Sequence, residues 1–417
     1  MNHTSLRTSY GLALAGLLAA GTLFAVQSPV SAGAATDRGG HSAEHPDEAR
    51  RGAFVSAEHV QGLTPRQVEQ ALADAGLDEA GVRHGVDAYR LVYRTLDPQG
   101  RPTTASGLVV LPRTEERWLR TVSYAHGTLV NRHDAPSVKE GTAERAAPLA
   151  FAGAGFAAIA PDYLGFGEGP GRHPWMHAES EAGASLDLLR AGRTFALRHG
   201  RILDRRILVS GFSQGGHAAT ALARQLAEGK GGWLRLGALA PVSGPYDMGG
   251  VQLPAMLSGK LDPYEATLGI AQWTVAWNGV YRFYSDPSEA FRAPYDQTVE
   301  QLFDGEHTLD EIFAELPGTP QELLTSAFLE RLTNPTAEIA AAFRDNDRTC
   351  DMNPRVPTRL YAASGDPSVL PVNAEHCSEA IRARGGSTEL VDLGAVDHIT
   401  SEQRAVPAVV RWFSGLS

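Results

Sequence analysis

The segment LVSGFSQGGHAAT, from Leu208 to Thr220, is the most informative part of the sequence. An aliphatic run ends at a serine set between Gly211 and Gly215, and an alanine-rich segment follows. A G-x-S-x-G pattern between a strand and a helix forms a sharp elbow with no room for side chains at the flanking positions. The elbow lifts the serine hydroxyl clear of the sheet, at a helix N-terminus. We therefore interpret Ser213 as a nucleophile, with an ordinary glycine turn as the alternative.

Strand and helix patterns alternate on both sides of this stretch. The segments DAYRLVYRTLD and TTASGLVVLP flank the turn PQGRP and predict an antiparallel opening hairpin. Apolar runs such as GFAAIAPDY and RILVSGF then alternate with amphipathic segments such as SEAGASLDLLRAGRTFAL. This alternation predicts an α/β fold with a mostly parallel central sheet and helices on both faces.

A serine nucleophile needs a histidine base and an orienting carboxylate, which in this architecture follow the serine in the order acid, then histidine. His398 comes directly after the last predicted strand, in GAVDHIT. Asp366 ends the preceding predicted strand, 32 positions earlier (398 − 366). The remaining histidines beyond the serine are predicted to lie on the elbow helix, in an irregular segment and on a surface helix: His217, His307 and His376. The sequence thus predicts a Ser213-His398-Asp366 triad.

Two backbone N–H groups should stabilise the tetrahedral intermediate of such a triad. One is Gln214 N–H, directly after the nucleophile, and the other is Thr128 N–H, in the loop after the strand RTVSYAHGT. A strand-terminal turn with a packed His126 is the alternative for that loop. Asp162 and Tyr163, in APDYLGFGEG, are expected to be scaffold residues.

Five segments are predicted along the chain. Alternation breaks after about residue 245 and resumes near residue 354, and the intervening stretch is rich in aromatics and helical patterns. A hundred residues without structure would be improbable, so this stretch is predicted to form a helical cap over the sheet. The segments are a signal peptide (1–35), a flexible lead-in (36–60), the first part of the core (61–245), the cap insertion (246–353) and the second part of the core (354–417).

The N-terminus predicts secretion. Arg7 precedes the apolar run GLALAGLLAAGTLFAV, and VSAGAA offers small residues for cleavage. Cys350 and Cys377, the only two cysteines, fit one disulfide in an exported protein. Two buried free thiols are the alternative. We expect an extracellular protein with one disulfide.

Composition excludes other classes of protein. The 417 residues are 43% hydrophobic and 20% charged, which is typical of a soluble globular protein. The formal net charge of −11 argues against nucleic-acid binding, which needs a basic surface. His173 and His177 share helical spacing without a carboxylate partner, so no metal site is expected, and the proposed chemistry needs no cofactor.

The motifs together resemble a known family. The chain resembles the secretory-lipase branch of the α/β-hydrolase superfamily, which comprises secreted fungal and actinobacterial lipases and esterases with a helical cap. The motifs that carry this resemblance are YAHGT, PDYLGFGEG, GFSQGGHA, APVSGPYD and SGDPSVLP…DHIT. The resemblance spans about residue 87 to the C-terminus. It implies a carboxylic-ester hydrolase in which Ser213, Asp366 and His398 match the triad positions.

The sequence therefore predicts a secreted serine hydrolase that cleaves carboxylic esters through an acyl-enzyme. Its partner is a small-molecule or lipid ester, with transient contact between the cap and a lipid interface and with no nucleic acid. A secreted serine peptidase or amidase on the same fold is the first alternative. A non-catalytic binding protein on a hydrolase scaffold is the second. The oligomeric state and the preferred acyl length are left open.

Overall fold

A nine-stranded sheet runs through the part of the chain that this computed structural model describes, residues 51–416. The predicted signal peptide and most of the predicted lead-in lie outside these residues. The strands are β1 (Phe54–Leu63), β2 (Val86–Leu96), β3 (Pro102–Pro112), β4 (Trp118–Ala125), β5 (Ala157–Pro161), β6 (Ile202–Phe212), β7 (Arg235–Val242), β8 (Arg359–Ala362) and β9 (Glu389–Asp392). Their order in the sheet is β1-β2-β3-β5-β4-β6-β7-β8-β9.

The sheet is antiparallel at one side and parallel over the rest. Strands β1, β2, β3 and β5 pair antiparallel, whereas β5, β4, β6, β7, β8 and β9 pair parallel in that order. The predicted opening hairpin is β2 and β3, with Val86 opposite Pro112 and Leu96 opposite Pro102. The predicted mixed α/β class with a mostly parallel sheet is confirmed.

Helices cover both faces of this sheet. The α-helices of the core are α1 (Pro65–Asp74), α2 (Ala143–Gly153), α3 (Ala178–Arg198) and α4 (Gln214–Ala227), followed after the cap by α12 (Val372–Ala383) and α13 (His398–Gly415). Apolar residues of α3, α4 and α12 pack in one cluster on one face. Those of α1, α2 and α13 pack in a second cluster on the other face. Each face of the sheet is therefore buried by three helices.

One predicted boundary is wrong. The flexible lead-in was expected to extend to residue 60, but β1 begins at Phe54 and pairs with β2 as far as Leu63 opposite Val86. Strand β1 lies at the edge of the sheet, and most of its side chains are exposed. An edge strand with little apolar surface to bury has the composition of a loop, which is why its sequence lacks a clear strand pattern.

The segment between β7 and β8 is built from helices. It contains α5 (Leu253–Leu257), α6 (Pro263–Tyr281), α7 (Val299–Leu302), α8 (Leu309–Glu315), α9 (Pro320–Leu323), α10 (Ser326–Thr333) and α11 (Ala337–Asn346). A π-helical turn (Met248–Gln252) precedes them and a 3₁₀ turn (Asp347–Cys350) follows. We call residues 246–353 the cap; these exact domain limits stay a prediction.

The cap has an apolar core of its own. Trp273 stacks on Phe343 with ring centroids 5.4 Å apart, and Trp277 lies 4.9 Å from Trp273. Both tryptophans are fully buried. The aromatic residues that mark this segment in the sequence therefore build much of its interior.

A disulfide joins the end of the cap to the core. Cys350, in the 3₁₀ turn, is bonded to Cys377 in α12, and both residues are buried. Within residues 51–416, no helix has both the length and the apolar character required to cross a bilayer.

Candidate active site

Ser213 lies at a tight elbow between β6 and α4. Its backbone has φ 55° and ψ −121°, a conformation that non-glycine residues rarely adopt. A Cβ atom added at Gly211 would lie 2.2 Å from the carbonyl oxygen of Gly215, and one at Gly215 would lie 1.9 Å from the carbonyl oxygen of Ala125. Glycine is therefore required at both positions for the chain to turn between β6 and α4 beside the end of β4.

The structure brings the three predicted triad residues together. The Oγ atom of Ser213 lies 2.8 Å from Nε2 of His398, and Nδ1 of His398 lies 2.7 Å from Oδ2 of Asp366. Asp366 follows β8, and His398 is the first residue of α13. A carboxylate only accepts hydrogen bonds, so Nδ1 carries the imidazole proton and Nε2 is free to accept from the serine hydroxyl.

Backbone and aromatic contacts fix the acid and the histidine. Oδ1 of Asp366 accepts hydrogen bonds from the N–H groups of Ser368 and Val369, both at 2.9 Å. The ring of His398 packs 4.6 Å from that of Phe212, the residue before the serine. The Asp366 side chain is 1% exposed and that of His398 is 14% exposed. The acid is thus buried, while the histidine borders the open side of the site.

The residues of the two predicted oxyanion donors both lie near the serine. Gln214 is the first residue of α4, where a backbone N–H has no partner within the helix. Thr128 follows β4 in a loop that passes close to the serine, because a Cβ atom added at Gly127 would lie 3.7 Å from Cβ of Ser213. Gln214, Thr128, Ser213 and His398 all line one cavity.

That cavity is about 390 Å³ in volume and is mostly apolar. The apolar lining comes from both the cap and the core: Met248, Met256, Leu261, Leu268, Leu309 and Phe313 from the cap, and Leu129, Val130, Trp175, Pro245 and Val369 from the core. An apolar chain bound here would lie beside the serine hydroxyl, as expected of a site that binds the hydrocarbon part of a substrate.

A buried polar network beneath the elbow was not predicted from the sequence. The carboxylate of Glu181, on α3, accepts from Nε2 of Gln214 at 2.8 Å and from Nδ1 of His217 at 2.7 Å. Nε2 of His217 donates to the carbonyl oxygen of Asn346 at 3.0 Å, at the end of α11. The network joins α3, the nucleophile helix and the cap. The only sequence signal for it is a glutamate at a buried position of α3.

Two histidines of this region have shifted pKa values in opposite directions. Burial opposes protonation of His217, but the charge and hydrogen bond of Glu181 outweigh it and raise its pKa. Burial lowers the pKa of His173 to about 4. His173 is therefore neutral, and its Nε2 accepts from Nε2 of Gln214 at 2.8 Å. His217 is engaged by Glu181 and Asn346, which leaves no nitrogen to act as the base.

The other candidate histidines are occupied elsewhere. His307 pairs with Asp304 at 3.0 Å, and His376 pairs with Asp247 at 2.7 Å. Among residues 51–416, no group of three or more histidine, cysteine, aspartate or glutamate side chains has a metal-binding arrangement. Asp162 is buried and accepts from the hydroxyls of Ser106 and Ser137.

Solved structures with the same architecture exist, although the chain matches no protein-family model and no curated protein. A candidate hydrolase from Legionella pneumophila is 25% identical, with 87% of this chain and 97% of that chain covered and a TM-score of 0.79. The rice cell wall degrading esterase LipA from Xanthomonas oryzae is 25% identical, with coverage of 88% and 98% and a TM-score of 0.76. Candida antarctica lipase A shares the fold at 15% identity, with coverage of 84% and 78% and a TM-score of 0.61.

The chain has the α/β-hydrolase fold, and the solved structures to which it is similar include a lipase and an esterase. This likeness supports carboxylic-ester hydrolase activity.

Proposed function

We propose that this chain is a secreted serine esterase or lipase whose catalytic residues are Ser213, His398 and Asp366. One observation carries the proposal: a continuous series of hydrogen bonds leads from the serine hydroxyl through the imidazole to a buried carboxylate, at 2.8 and 2.7 Å. This arrangement activates a serine hydroxyl for attack on a carbonyl carbon.

In the first half of the reaction, Oγ of Ser213 attacks the ester carbonyl while Nε2 of His398 accepts its proton. Asp366 stabilises the imidazolium that forms. The N–H groups of Gln214 and Thr128 donate to the oxyanion. The carbon–oxygen bond to the alcohol then breaks, and His398 returns its proton to the departing alcohol oxygen. The acyl group remains on Ser213.

In the second half, a water molecule replaces the alcohol. His398 removes a proton from this water as it attacks the acyl carbon, and a second tetrahedral intermediate forms in the same oxyanion site. When it collapses, the proton passes to Oγ of Ser213 and the carboxylic acid leaves. No metal or organic cofactor takes part in either half.

The character of the cavity supports esters over amides of charged peptides. Its two carboxylates are already engaged: Asp134 pairs with Lys139 at 2.6 Å, and Glu265 accepts from the hydroxyl of Ser368 at 2.5 Å. A peptidase that recognises a free amine needs an acid available to the substrate. The peptidase or amidase alternative therefore ranks second, and the intact triad disfavours a non-catalytic binding protein.

Secretion and lipid contact are part of the proposal. A disulfide persists in oxidising compartments, which supports export by the predicted signal peptide. On the cap, Tyr264 and Leu309 are exposed apolar side chains, and Leu309 also lines the cavity. These residues would contact a lipid interface transiently as the substrate enters.

The experiment is hydrolysis of p-nitrophenyl esters of increasing acyl length by the wild type and Ser213→Ala. We expect the variant to fold normally and to lose kcat by several orders of magnitude. Ser210→Ala is the control, because that hydroxyl lies three residues earlier on β6 and donates to the carbonyl oxygen of Ala240. Activity of Ser213→Ala above a tenth of wild type would refute the nucleophile assignment. Faster cleavage of an aminoacyl amide than of any ester would favour the peptidase alternative.

A further inference from the structure

We propose that His126 is a positioning residue that orients the Thr128 N–H toward the oxyanion. This inference rests on the proposed function. His126 precedes the loop that contributes one of the two proposed oxyanion donors, and within residues 51–416 its ring makes no hydrogen bond to a triad residue. Its action is exerted through the peptide bond between Gly127 and Thr128.

The contact that carries the inference is a hydrogen bond from a side chain to the next residue. Nδ1 of His126 lies 2.7 Å from the carbonyl oxygen of Gly127. A carbonyl oxygen can only accept, so Nδ1 carries the proton. Nε2 of His126 is buried and has no hydrogen-bond partner among residues 51–416. The short hydrogen bond of this ring is therefore the one to Gly127, while Asp162 and Glu181 lie close enough to affect its pKa.

Peptide planarity converts that bond into an orientation of the donor. The carbonyl of residue 127 and the N–H of residue 128 belong to one planar trans unit and point in opposite directions. Because the carbonyl oxygen of Gly127 faces the buried imidazole, the N–H of Thr128 faces away from it. His126 is 1% exposed, whereas Thr128 is exposed and lines the cavity beside Ser213. The donor edge of this peptide thus faces the open cavity.

Glycine at 127 explains why the peptide needs such a restraint. Glycine adopts backbone conformations that other residues avoid, so this peptide could rotate and direct its carbonyl toward the cavity. A carbonyl oxygen in that place would repel an oxyanion instead of stabilising it. A larger residue is disfavoured there, since an added Cβ atom would lie 3.3 Å from the Phe212 ring and that ring would have to shift by a few tenths of an ångström. The hydrogen bond from His126 selects the productive orientation.

The imidazole itself is held in place and kept neutral. Its ring packs against that of Tyr163 at 4.4 Å, and the Tyr163 hydroxyl donates to the carbonyl oxygen of His126 at 3.1 Å. Burial lowers the pKa of His126, so the ring carries a single proton, the one used at Nδ1. A neutral ring places no positive charge behind the oxyanion loop, and its contribution is one of geometry.

The decisive comparison is between His126→Leu and His126→Asn. Leucine fills the space without a donor, whereas the amide nitrogen of asparagine occupies a place similar to Nδ1. We expect His126→Leu to lower kcat by about tenfold to hundredfold, less than the complete loss of an oxyanion donor, with KM within threefold of wild type. Affinity for an alkyl boronic acid, which forms a tetrahedral adduct on the serine, should fall by the same factor. His126→Asn should recover kcat to within about fivefold of wild type.

The matched control is His199→Leu. Nδ1 of His199 also lies near a backbone carbonyl oxygen, that of Phe195 at 3.0 Å, and its ring also packs on an aromatic ring. This histidine precedes β6, at the opposite end of that strand from Ser213, so its replacement should leave kcat unchanged.

Two outcomes would overturn the inference: a kcat of His126→Leu within threefold of wild type, or an equal loss of kcat in His126→Asn and His126→Leu. If the leucine variant does not fold, His126→Gln replaces it, because glutamine places its amide nitrogen near the position of Nε2 of the histidine and not near that of Nδ1. Equal activity of the glutamine and asparagine variants would then overturn the inference. Failure of the proposed function is distinguished by Ser213→Ala: if that variant is inactive and His126→Leu is unimpaired, only the role of His126 is wrong.

Discussion

Glu181→Leu removes the carboxylate that joins α3 to the nucleophile helix. In its absence Nδ1 of His217 loses its acceptor at 2.7 Å, while Nε2 of Gln214 keeps only its contact with His173. Removing one partner of a buried ion pair costs about 3–5 kcal/mol, since the other partner is left unpaired. Unfolding a chain of roughly 370 residues changes the entropy by about 0.8 kcal/mol/K, so we expect Tm to fall by about 4–6 °C.

The same change should reduce catalysis. Gln214 supplies a proposed oxyanion donor, and its side chain is one of the two groups that Glu181 holds at the start of α4. If the first turn of α4 is released, we expect kcat to fall about tenfold with little change in KM, which corresponds to about 1.4 kcal/mol of transition-state stabilisation. Steady-state kinetics at 25 °C with a short-chain p-nitrophenyl ester measure this loss.

The stability loss should depend on pH. The folded pKa of His217 is raised, so the ion pair stabilises the fold fully below the unfolded value and loses this contribution as pH rises through the folded pKa. The difference in unfolding free energy between wild type and Glu181→Leu should therefore be larger at pH 6 than at pH 9. Denaturant titrations at the two pH values measure it.

Asp187→Leu is the matched control for these measurements. Asp187 lies on the same helix, is fully buried and pairs with Arg51 at 3.0 Å and Arg190 at 2.7 Å, away from the elbow. It should lower Tm to a similar extent and leave kcat within twofold of wild type. If Glu181→Leu loses stability but keeps wild-type kcat, as the control does, the network has no part in positioning the elbow.

Four further changes test other features. Cys377→Ser should lower the unfolding free energy by about 3.5 kcal/mol, because the disulfide closes a loop of 27 residues. It should also reduce kcat more than KM. Unaltered thermal unfolding of the variant, or two free thiols in the unreduced wild type, would refute this prediction. Burial raises the pKa of Glu402 to about 7, so the stability of the folded state falls as pH rises from about 4.5 to 7. The unfolding free energy of Glu402→Gln should therefore exceed that of the wild type by about 3 kcal/mol at pH 8 and by almost nothing near pH 4.5. Urea titrations at the two pH values measure this difference. Gly215→Ala should abolish activity, because the added Cβ atom would lie 1.9 Å from the carbonyl oxygen of Ala125. Gly279→Ala should instead raise the unfolding free energy by up to about 1 kcal/mol, because this glycine faces open space on α6. An active Gly215→Ala enzyme would contradict the elbow geometry.

The sequence predicted the elements whose pattern is local. The hairpin of β2 and β3 is specified by residues a few positions apart. The elbow is also local, since its glycines flank the serine directly. Asp366 and His398 could be proposed because each follows a strand, and parallel strands end at the same edge of a sheet.

The sequence did not reveal features that depend on distant contacts. Glu181 and His217 are 36 positions apart and meet only because α3 and α4 pack on the same face. Nothing in the local pattern of either helix distinguishes a paired glutamate from a solvated one. The sequence does not predict strand β1, because an exposed edge strand needs few apolar residues. Its conformation is fixed by pairing with β2.

The distances along the chain between the triad residues affect how the enzyme folds. Asp366 and His398 are 32 positions apart, whereas Ser213 and His398 are 185 positions apart, with the whole cap between them. Closing the longer loop costs about 1.6 kcal/mol more in chain entropy than closing the shorter one. Contacts between distant segments form late in folding, after local hairpins and helices. During refolding, esterase activity should therefore return after the circular-dichroism signal, and the rate of that return reports on docking of the two halves of the core.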